Sequence, residues 1–358
     1  MEKFTRRSFS KRWAVAVPVL AIAAAASLVL SQQLGLPWQM EPWPGNDEVV
    51  AVKSDVLDVE NISGLAHQAV GPNAAGTLWA VRNNPATLFR LSSDAGTWRA
   101  TKPGWEDGMA LSYSDRLGSP DAEGIALAKT DSEENVYVAA ERNNDDPDVS
   151  ALHVLRYETA RTSESNDGTL VPAQQWDLTD DVATAADPNE GFEGIAFVPD
   201  EDLTAAHFND ERTGSRFEPA AYGSHGGGVF FLGLEATGVV YGYVLAADGS
   251  YERVATIDPK LPIVAELEYD SATGRLWAIC DNACRGQSAV LEIGPSKHSS
   301  TNGFTVVERY KRPQDMPNIN NEGFAISDAC TGNLRPVYWS DDDVYEGHTL
   351  RMGMVECV

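Results

Sequence analysis

The chain is poor in basic residues. It has 27 Lys and Arg against 53 Asp and Glu in 358 residues, a net charge of −26 at pH 7. Duplexes are bound by clustered Lys and Arg that neutralise phosphates, and no such cluster exists beyond residue 12. Repressors, polymerases and RNA-binding modules are thereby excluded. No G-x-G-x-x-G or P-loop cradles a phosphate, and no G-x-S-x-G elbow presents a serine nucleophile. His225-Gly226-Gly227-Gly228 looks like an oxyanion-hole loop, but without that nucleophile it reads as a glycine-rich turn. His67, His153, His207, His298 and His348 show no metal-ligand spacing. A long amphipathic helical pattern is missing too, which argues against an α/β fold. What is present is 43% apolar residues and 30 glycines, enough for a globular core. The acid surplus fits solubility, cation binding or a salty environment equally well.

Thr5-Arg6-Arg7-Ser8-Phe9-Ser10-Lys11 precedes an apolar run from Trp13 to Leu30. Positive flank followed by apolar stretch is the order of a secretory signal, and the pattern resembles a twin-arginine export signal. No clear small-x-small cleavage site follows the run, which is long enough for a marginal membrane span. An uncleaved anchor with its basic side in the cytoplasm is the alternative. Residues 1–31 are expected to be signal or anchor, 32–48 a linker, and 49–358 the folded domain. Residues 1–31 hold five basic residues and one acid, so the remainder carries 22 basic against 52 acidic, a net −30. The expected location is periplasmic, extracellular, or on the cytoplasmic membrane facing outward. In such a compartment the four cysteines can oxidise. Of three possible pairings, Cys280–Cys284 and Cys330–Cys357 are expected. Zinc is the competitor, but C-x3-C has no matching second pair.

Five segments repeat at intervals of roughly 60 to 73 residues. They are Ile62-Ser63-Gly64-Leu65-Ala66, Ala122-Glu123-Gly124-Ile125-Ala126, Phe192-Glu193-Gly194-Ile195-Ala196, Ala265-Glu266-Leu267-Glu268-Tyr269 and Asn321-Glu322-Gly323-Phe324-Ala325. Runs rich in β-branched and aromatic residues follow each one, suited to a pleated, half-buried surface. Four units offer four strands. The fifth offers three, because the chain ends, and the extended segment Val49 to Val59 is free to supply the missing one. Closing a ring by an N-terminal strand is how a β-propeller hides its edges. The expected fold is all-β, a five-bladed β-propeller closed by an N-terminal strand, with six blades as the alternative. Glycine after Glu permits close approach of backbones near the axis. Trp79, Trp277 and Trp339 recur at one strand position and read as core.

The ordered set of S-G-L, D-x-E-G-I, G-F-E-G-I-A, A-E-L-E and E-G-F-A, with Asn84-Pro85-Ala86-Thr87-Leu88 and Glu141-Arg142, resembles the SdiA-regulated (YjiK-like) propeller family. It covers the chain from about Asp55 onward and is distantly similar to phytase-like esterase propellers. The sequence departs from the pattern at Leu267, which replaces glycine, and in an insert from about Pro199 to Gly227. The resemblance implies calcium in the axial channel.

In a blade, the start of the first strand and the loop between strands two and three emerge on one face. Glu123, Glu193, Glu266 and Glu322, with Ser63 in the fifth place, are therefore expected to ring one channel mouth. Polar loops join them there: Arg82-Asn83-Asn84, Glu141-Arg142-Asn143-Asn144, Asp281-Asn282 and Asp341-Asp342-Asp343. Converging carboxylates repel unless a cation, protons or arginines offset them. Calcium takes six to eight oxygens and suits such a set, whereas no His or Cys of the repeats serves a softer metal. Three readings follow. One is a calcium-binding propeller at the cell envelope that binds a small molecule or a protein. The second is a calcium-dependent hydrolase of esters, lactones or phosphoesters, with Glu141 or Asp281 as base and Arg142 stabilising charge. The third is a structural network in which the glutamates cap backbone amides and pair with Arg82 and Arg142.

Overall fold

The computed structural model describes residues 40–71, 75–128, 135–159, 168–182, 187–295 and 301–357. The expected signal or anchor and most of the expected linker lie outside the described residues. Among the described residues, no helix is long and apolar enough to cross a membrane.

Five antiparallel sheets form the blades of a β-propeller. Blade 1 comprises Ile62–Gln68, Thr77–Arg82 and Thr87–Asp94, and its outer place is shared by Thr97–Ala100 and Met109–Leu111. Blade 2 comprises Pro120–Leu127, Asn135–Asn143, Asp146–Glu158 and Gln174–Asp177; blade 3, Phe192–Pro199, Gly228–Leu234, Val239–Leu245 and Tyr251–Ile257. Blade 4 comprises Glu266–Asp270, Arg275–Ile279, Ser288–Pro295 and Asn302–Tyr310. Blade 5 comprises Asn321–Ile326, Leu334–Tyr345 and His348–Glu356, and its fourth strand is Gly45–Ala51 from the N-terminal side.

The closing strand begins earlier and ends sooner than the expected Val49–Val59. After Val52, whose N–H still bonds Leu350, the chain leaves blade 5 and pairs with Trp98 at the outer edge of blade 1. Ser54 Oγ then accepts from the Leu57 N–H at 3.1 Å and turns the chain. One segment thus stitches the last blade to the first.

Inner strands contact one another in the cyclic order of the blades, and glycine sets how closely. A Cβ on Gly64 would lie 2.6 Å from the Glu123 carbonyl oxygen, one on Gly124 would lie 2.4 Å from that of Glu193, and one on Gly323 would lie 2.4 Å from that of Ser63. Gly194 likewise abuts the backbone of Glu266 and Leu267. Each glycine faces the next blade, so the repeat is a requirement of the ring. The blade 4 to blade 5 junction lacks this contact because Leu267 stands there. An aromatic wedge fills it instead: Trp43, Trp277, Phe324 and Trp339 pack with ring centroids 5.4 to 6.4 Å apart. A buried fork from Arg335 to Asp270 ties the same two blades, with Nη1 to Oδ1 at 2.9 Å.

The apolar core is accordingly five wedges, one between each pair of neighbouring blades. Trp79, Trp277 and Trp339 are buried in them. Both expected disulfides, Cys280–Cys284 and Cys330–Cys357, are present.

Candidate functional site

The inner strands all start at one mouth of the channel, and the local register decides where their glutamates aim. In blades 1, 2, 3 and 5 the pairing of strands one and two shifts at the Glu-Gly (or Ser-Gly) step. Such bulges re-aim a side chain, and glycine makes them possible there. Blade 2 carries two further shifts around Arg142 in its second strand. As a result Asp121, Glu123 and Glu141 converge, with one carboxylate oxygen from each lying within 4.8 Å of the other two. Their exposures are only 1%, 4% and 2%.

Few donors serve this cluster. Arg142 Nε lies 2.5 Å from Asp121 Oδ2 and 3.6 Å from Glu141 Oε1. The Gly191 N–H donates to Glu141 Oε2 at 2.9 Å, and Asn83 Nδ2 reaches Glu123 Oε2 at 3.4 Å. Ser63 Oγ donates to the Glu123 carbonyl at 2.8 Å. Glu322 accepts from Asn320 Nδ2 at 2.7 Å, but its buried Oε2 has no hydrogen-bond partner, and neither has the buried Asn83 Oδ1.

Burial is the main force raising the proton affinity of this mouth, and mutual repulsion adds to it. Glu123 is pushed well up by burial, then by Asp121, Glu141 and Glu322. Glu193 is raised by burial, then by Glu123, Glu141, Glu322 and Glu235. Glu322 is raised by burial, then by Asp342, Glu235, Asp281 and Glu141. Glu141 is pushed up to about 7 by burial, against the opposing Gly191 N–H. Glu235 is also pushed up to about 7, by burial and then Asp281 and Glu190. Three of the four repeat glutamates therefore share one acidic field.

Glu266 stands apart. Blade 4 has no register shift at this step, because Leu267 cannot provide the glycine bulge. The fully buried carboxylate accepts from the Leu267 N–H at 2.9 Å and the Leu65 N–H at 3.3 Å, and the Ile195 N–H also bonds it. It thus joins the backbones of blades 4, 1 and 3 across the channel. Apart from burial, the acid that raises its proton affinity is Glu268, further along the strand.

Of the polar residues expected on the loops, Glu141 and Arg142 belong instead to the end of the second strand of blade 2, and with Asn83 and Asp281 they face the acidic field. Asp281 is fixed by the Ala283 N–H at 2.8 Å within the turn that Cys280–Cys284 closes. Asn282 is exposed on that turn and accepts from Asn318 through its carbonyl. Arg82 turns away to the Glu60 carbonyl at 3.0 Å. Two residues lie outside the set expected from the motifs. Asp121 lies two places before Glu123 in the same strand, and the register shifts on either side of Ala122 bring the two carboxylates together. Glu235 follows the second strand of blade 3, at the place that Asp281 and Asp342 hold in the pairing register of blades 4 and 5. The insert between strands one and two of blade 3 lies on the other face. There His225 is buried, with Nε2 3.0 Å from Asp200 and Nδ1 2.8 Å from the Gly223 carbonyl, and Gly226 and Gly227 form the expected turn at positive φ.

No family model and no curated protein matches the sequence. Among solved structures, the chain is similar to a PQQ-bound aldose sugar dehydrogenase from Streptomyces coelicolor at 15% identity and TM-score 0.39, covering 86% of this chain and 98% of that one. It is also similar to the periplasmic gluconolactonase PpgL of Pseudomonas aeruginosa at 14% identity and TM-score 0.34, covering 78% and 67%. A chain of a nidogen/laminin complex matches at 13% identity and TM-score 0.37, covering 83% and 87%. None of these likenesses bears on what the chain does.

Proposed function

We propose that this chain is an exported calcium-binding propeller that acts as a ligand- or partner-binding module at the cell envelope, with the ion in the acidic mouth. The convergence of Asp121, Glu123 and Glu141 carries the reading. Two oxygens on one calcium, each about 2.3–2.6 Å from it, lie no more than about 5 Å apart, and these three carboxylates meet that limit. The donors are all oxygen, as a hard cation requires. The partnerless Glu322 Oε2 and Asn83 Oδ1 are the orphaned acceptors that a cation satisfies. Asp121, Glu123 and Glu141 would hold the ion, with Glu193, Glu322 and Asn83 around it. Bound calcium would supply a positive point that attracts a carboxylate, phosphate or carbonyl oxygen of a ligand. The two disulfides suit an oxidising compartment, and the SdiA-regulated resemblance points the same way. The net −26 speaks against nucleic acid as partner.

Stripping divalent ions with a chelator should lower the melting temperature, and calcium should restore it. At a hundredfold excess over Kd the gain is on the order of 5 °C for a domain of this size. No shift on chelation, with no metal by elemental analysis, sinks the reading.

A second reading rests on Glu141. A carboxyl raised to about 7 beside Arg142 has the pKa of a general base working near neutrality. A panel of aryl esters, lactones and phosphomonoesters, with and without calcium, decides between them. Calcium-dependent turnover lost in Glu141→Gln selects the hydrolase; a flat panel with intact calcium binding selects the binding module.

A further inference from the structure

The opposite mouth of the channel holds a second feature that the acidic site does not use. The far ends of all five inner strands enclose a cavity of about 380 Å³, within the size range of small-molecule sites, roughly 300–1,000 Å³. Its wall is apolar in the larger part, with His67, Gln68, Asn135 and Ser271 as polar members. Ile125 and Ile195 contribute to it from blades 2 and 3. Blade 4 breaks the repeat beside them: with no register shift, Glu268 takes the pairing place of Ala126 and Ala196, and Tyr269 that of Leu127 and Phe197. Both substituted residues line the cavity, and Asp328 adds a second carboxylate at its exposed rim. Among the described residues of the lining there is no Lys or Arg.

The two departures are held in place. Glu268 Oε1 accepts from the Ile326 N–H at 3.3 Å, which fixes the carboxylate in the wall. The Tyr269 hydroxyl donates to Asp202 at 2.9 Å, which fixes the ring beside it. An apolar wall, an aromatic ring and a carboxylate together suit an ammonium group on an apolar body. The ring face and the carboxylate attract the charge, and the aliphatic wall takes the remainder. An anionic ligand would meet two carboxylates in a chain already at −26.

We propose that this far-mouth cavity binds a small organic cation, an ammonium group carried on an apolar body, with Glu268 and Tyr269 as its recognition pair. The site is separate from the acidic mouth, so it stands whether or not calcium binds there.

The test is calorimetric titration of the full chain with benzyltrimethylammonium, benzyl alcohol and benzoate, which share a ring and differ in charge. The cation should saturate one site at least tenfold more tightly than the alcohol, and benzoate should not bind. Glu268→Gln should weaken the cation about tenfold and leave the alcohol unchanged. Ala69→Trp, at the exposed rim, should abolish saturation by the cation with an unchanged melting temperature, and keeps the test valid if Glu268→Gln fails to fold. No saturable binding of the cation, benzoate binding as tightly as the cation, or a cation affinity unmoved by the folded variants overturns the proposal.

Discussion

Glu123 and Glu266 occupy the same place in their repeats and do different things. A bulge at Gly124 aims Glu123 into a cluster of carboxylates. An unshifted register leaves Glu266 accepting backbone amides from three blades. The variants should therefore separate. Glu266→Ala leaves two or three buried N–H groups without acceptors, at about 1–3 kcal/mol each, and should lower stability with or without calcium. Glu123→Gln should leave the metal-free protein within a degree or two, because burial and the neighbouring acids already favour the neutral carboxyl that the amide imitates, and should remove the calcium-induced gain in melting temperature. Thermal melts of both variants with chelator and with calcium check this, and a Glu123→Gln protein that gains as much from calcium as the parent contradicts it. The pH dependence follows from the same groups. Burial raises Glu141, Glu235 and Asp341 to about 7, whereas unfolded carboxyls titrate near 4. Between those values the folded chain holds protons that the unfolded chain has lost. Metal-free stability should thus fall as the pH rises from about 4 through about 7, and saturating calcium should flatten the fall. Denaturant titrations across that window in chelator and in calcium read it; a metal-free stability that rises instead refutes the burial argument. The repeat made the glutamate positions legible from residues alone. Their aim was not, since it depends on pairing register, and neither was Glu235, whose loop has no motif to mark it.

At the scale of the strand, the Glu-Gly step has two uses. It permits the bulge, and it lets one inner strand lie against the next. The second use is the costlier to disturb. A methyl on Gly124 would come 2.4 Å from a backbone oxygen of Glu193, and a backbone in the middle of a ring cannot retreat. Gly124→Ala should therefore destabilise by about 1–3 kcal/mol through overpacking, and by more if blade 3 is forced outward. Gly294, in the third strand of blade 4, is the opposite case: a methyl there would meet nothing within 4 Å. Its alanine variant should be neutral or slightly stabilising. Denaturant midpoints of the pair measure the difference, and equal values would mean that the inner strands are not in tight contact. Strand content was legible for a simple reason: β-branched and aromatic runs recur after each motif. The ends of the closing strand were not, because apolar character suggests Val49–Val59 while the true limits are set by where the chain must leave blade 5 for Trp98 in blade 1.

For the molecule as a whole, the ring has one seam where the chain ends meet. Gly45–Ala51 supplies the outer strand of blade 5, Trp43 inserts its ring into the blade 4 to blade 5 wedge, and its Nε1 donates to the Met354 carbonyl at 2.8 Å. Five blades and N-terminal closure could be read from counting strands, since four units had four and the last had three. The aromatic wedge could not, because nothing in the sequence says that Trp43 replaces a missing glycine contact. Cys330–Cys357 is the covalent part of the seam. It joins the turn before the second strand of blade 5 to the end of the third strand, against which the closing strand lies. It spans 27 residues, so on chain-entropy grounds its loss should cost about 3–4 kcal/mol. Cys280–Cys284 spans four residues, and the same reasoning gives about 2 kcal/mol. The double serine variant at Cys330 and Cys357 should therefore unfold at lower denaturant than the one at Cys280 and Cys284, with calcium present for both. It should also expose the edge of the third strand, which makes it the variant prone to associate through that edge. Denaturation midpoints together with light scattering distinguish the two. If the pair at Cys280 and Cys284 proves the more damaging, the stability of the ring resides in the turn beside the acidic mouth and not in the seam.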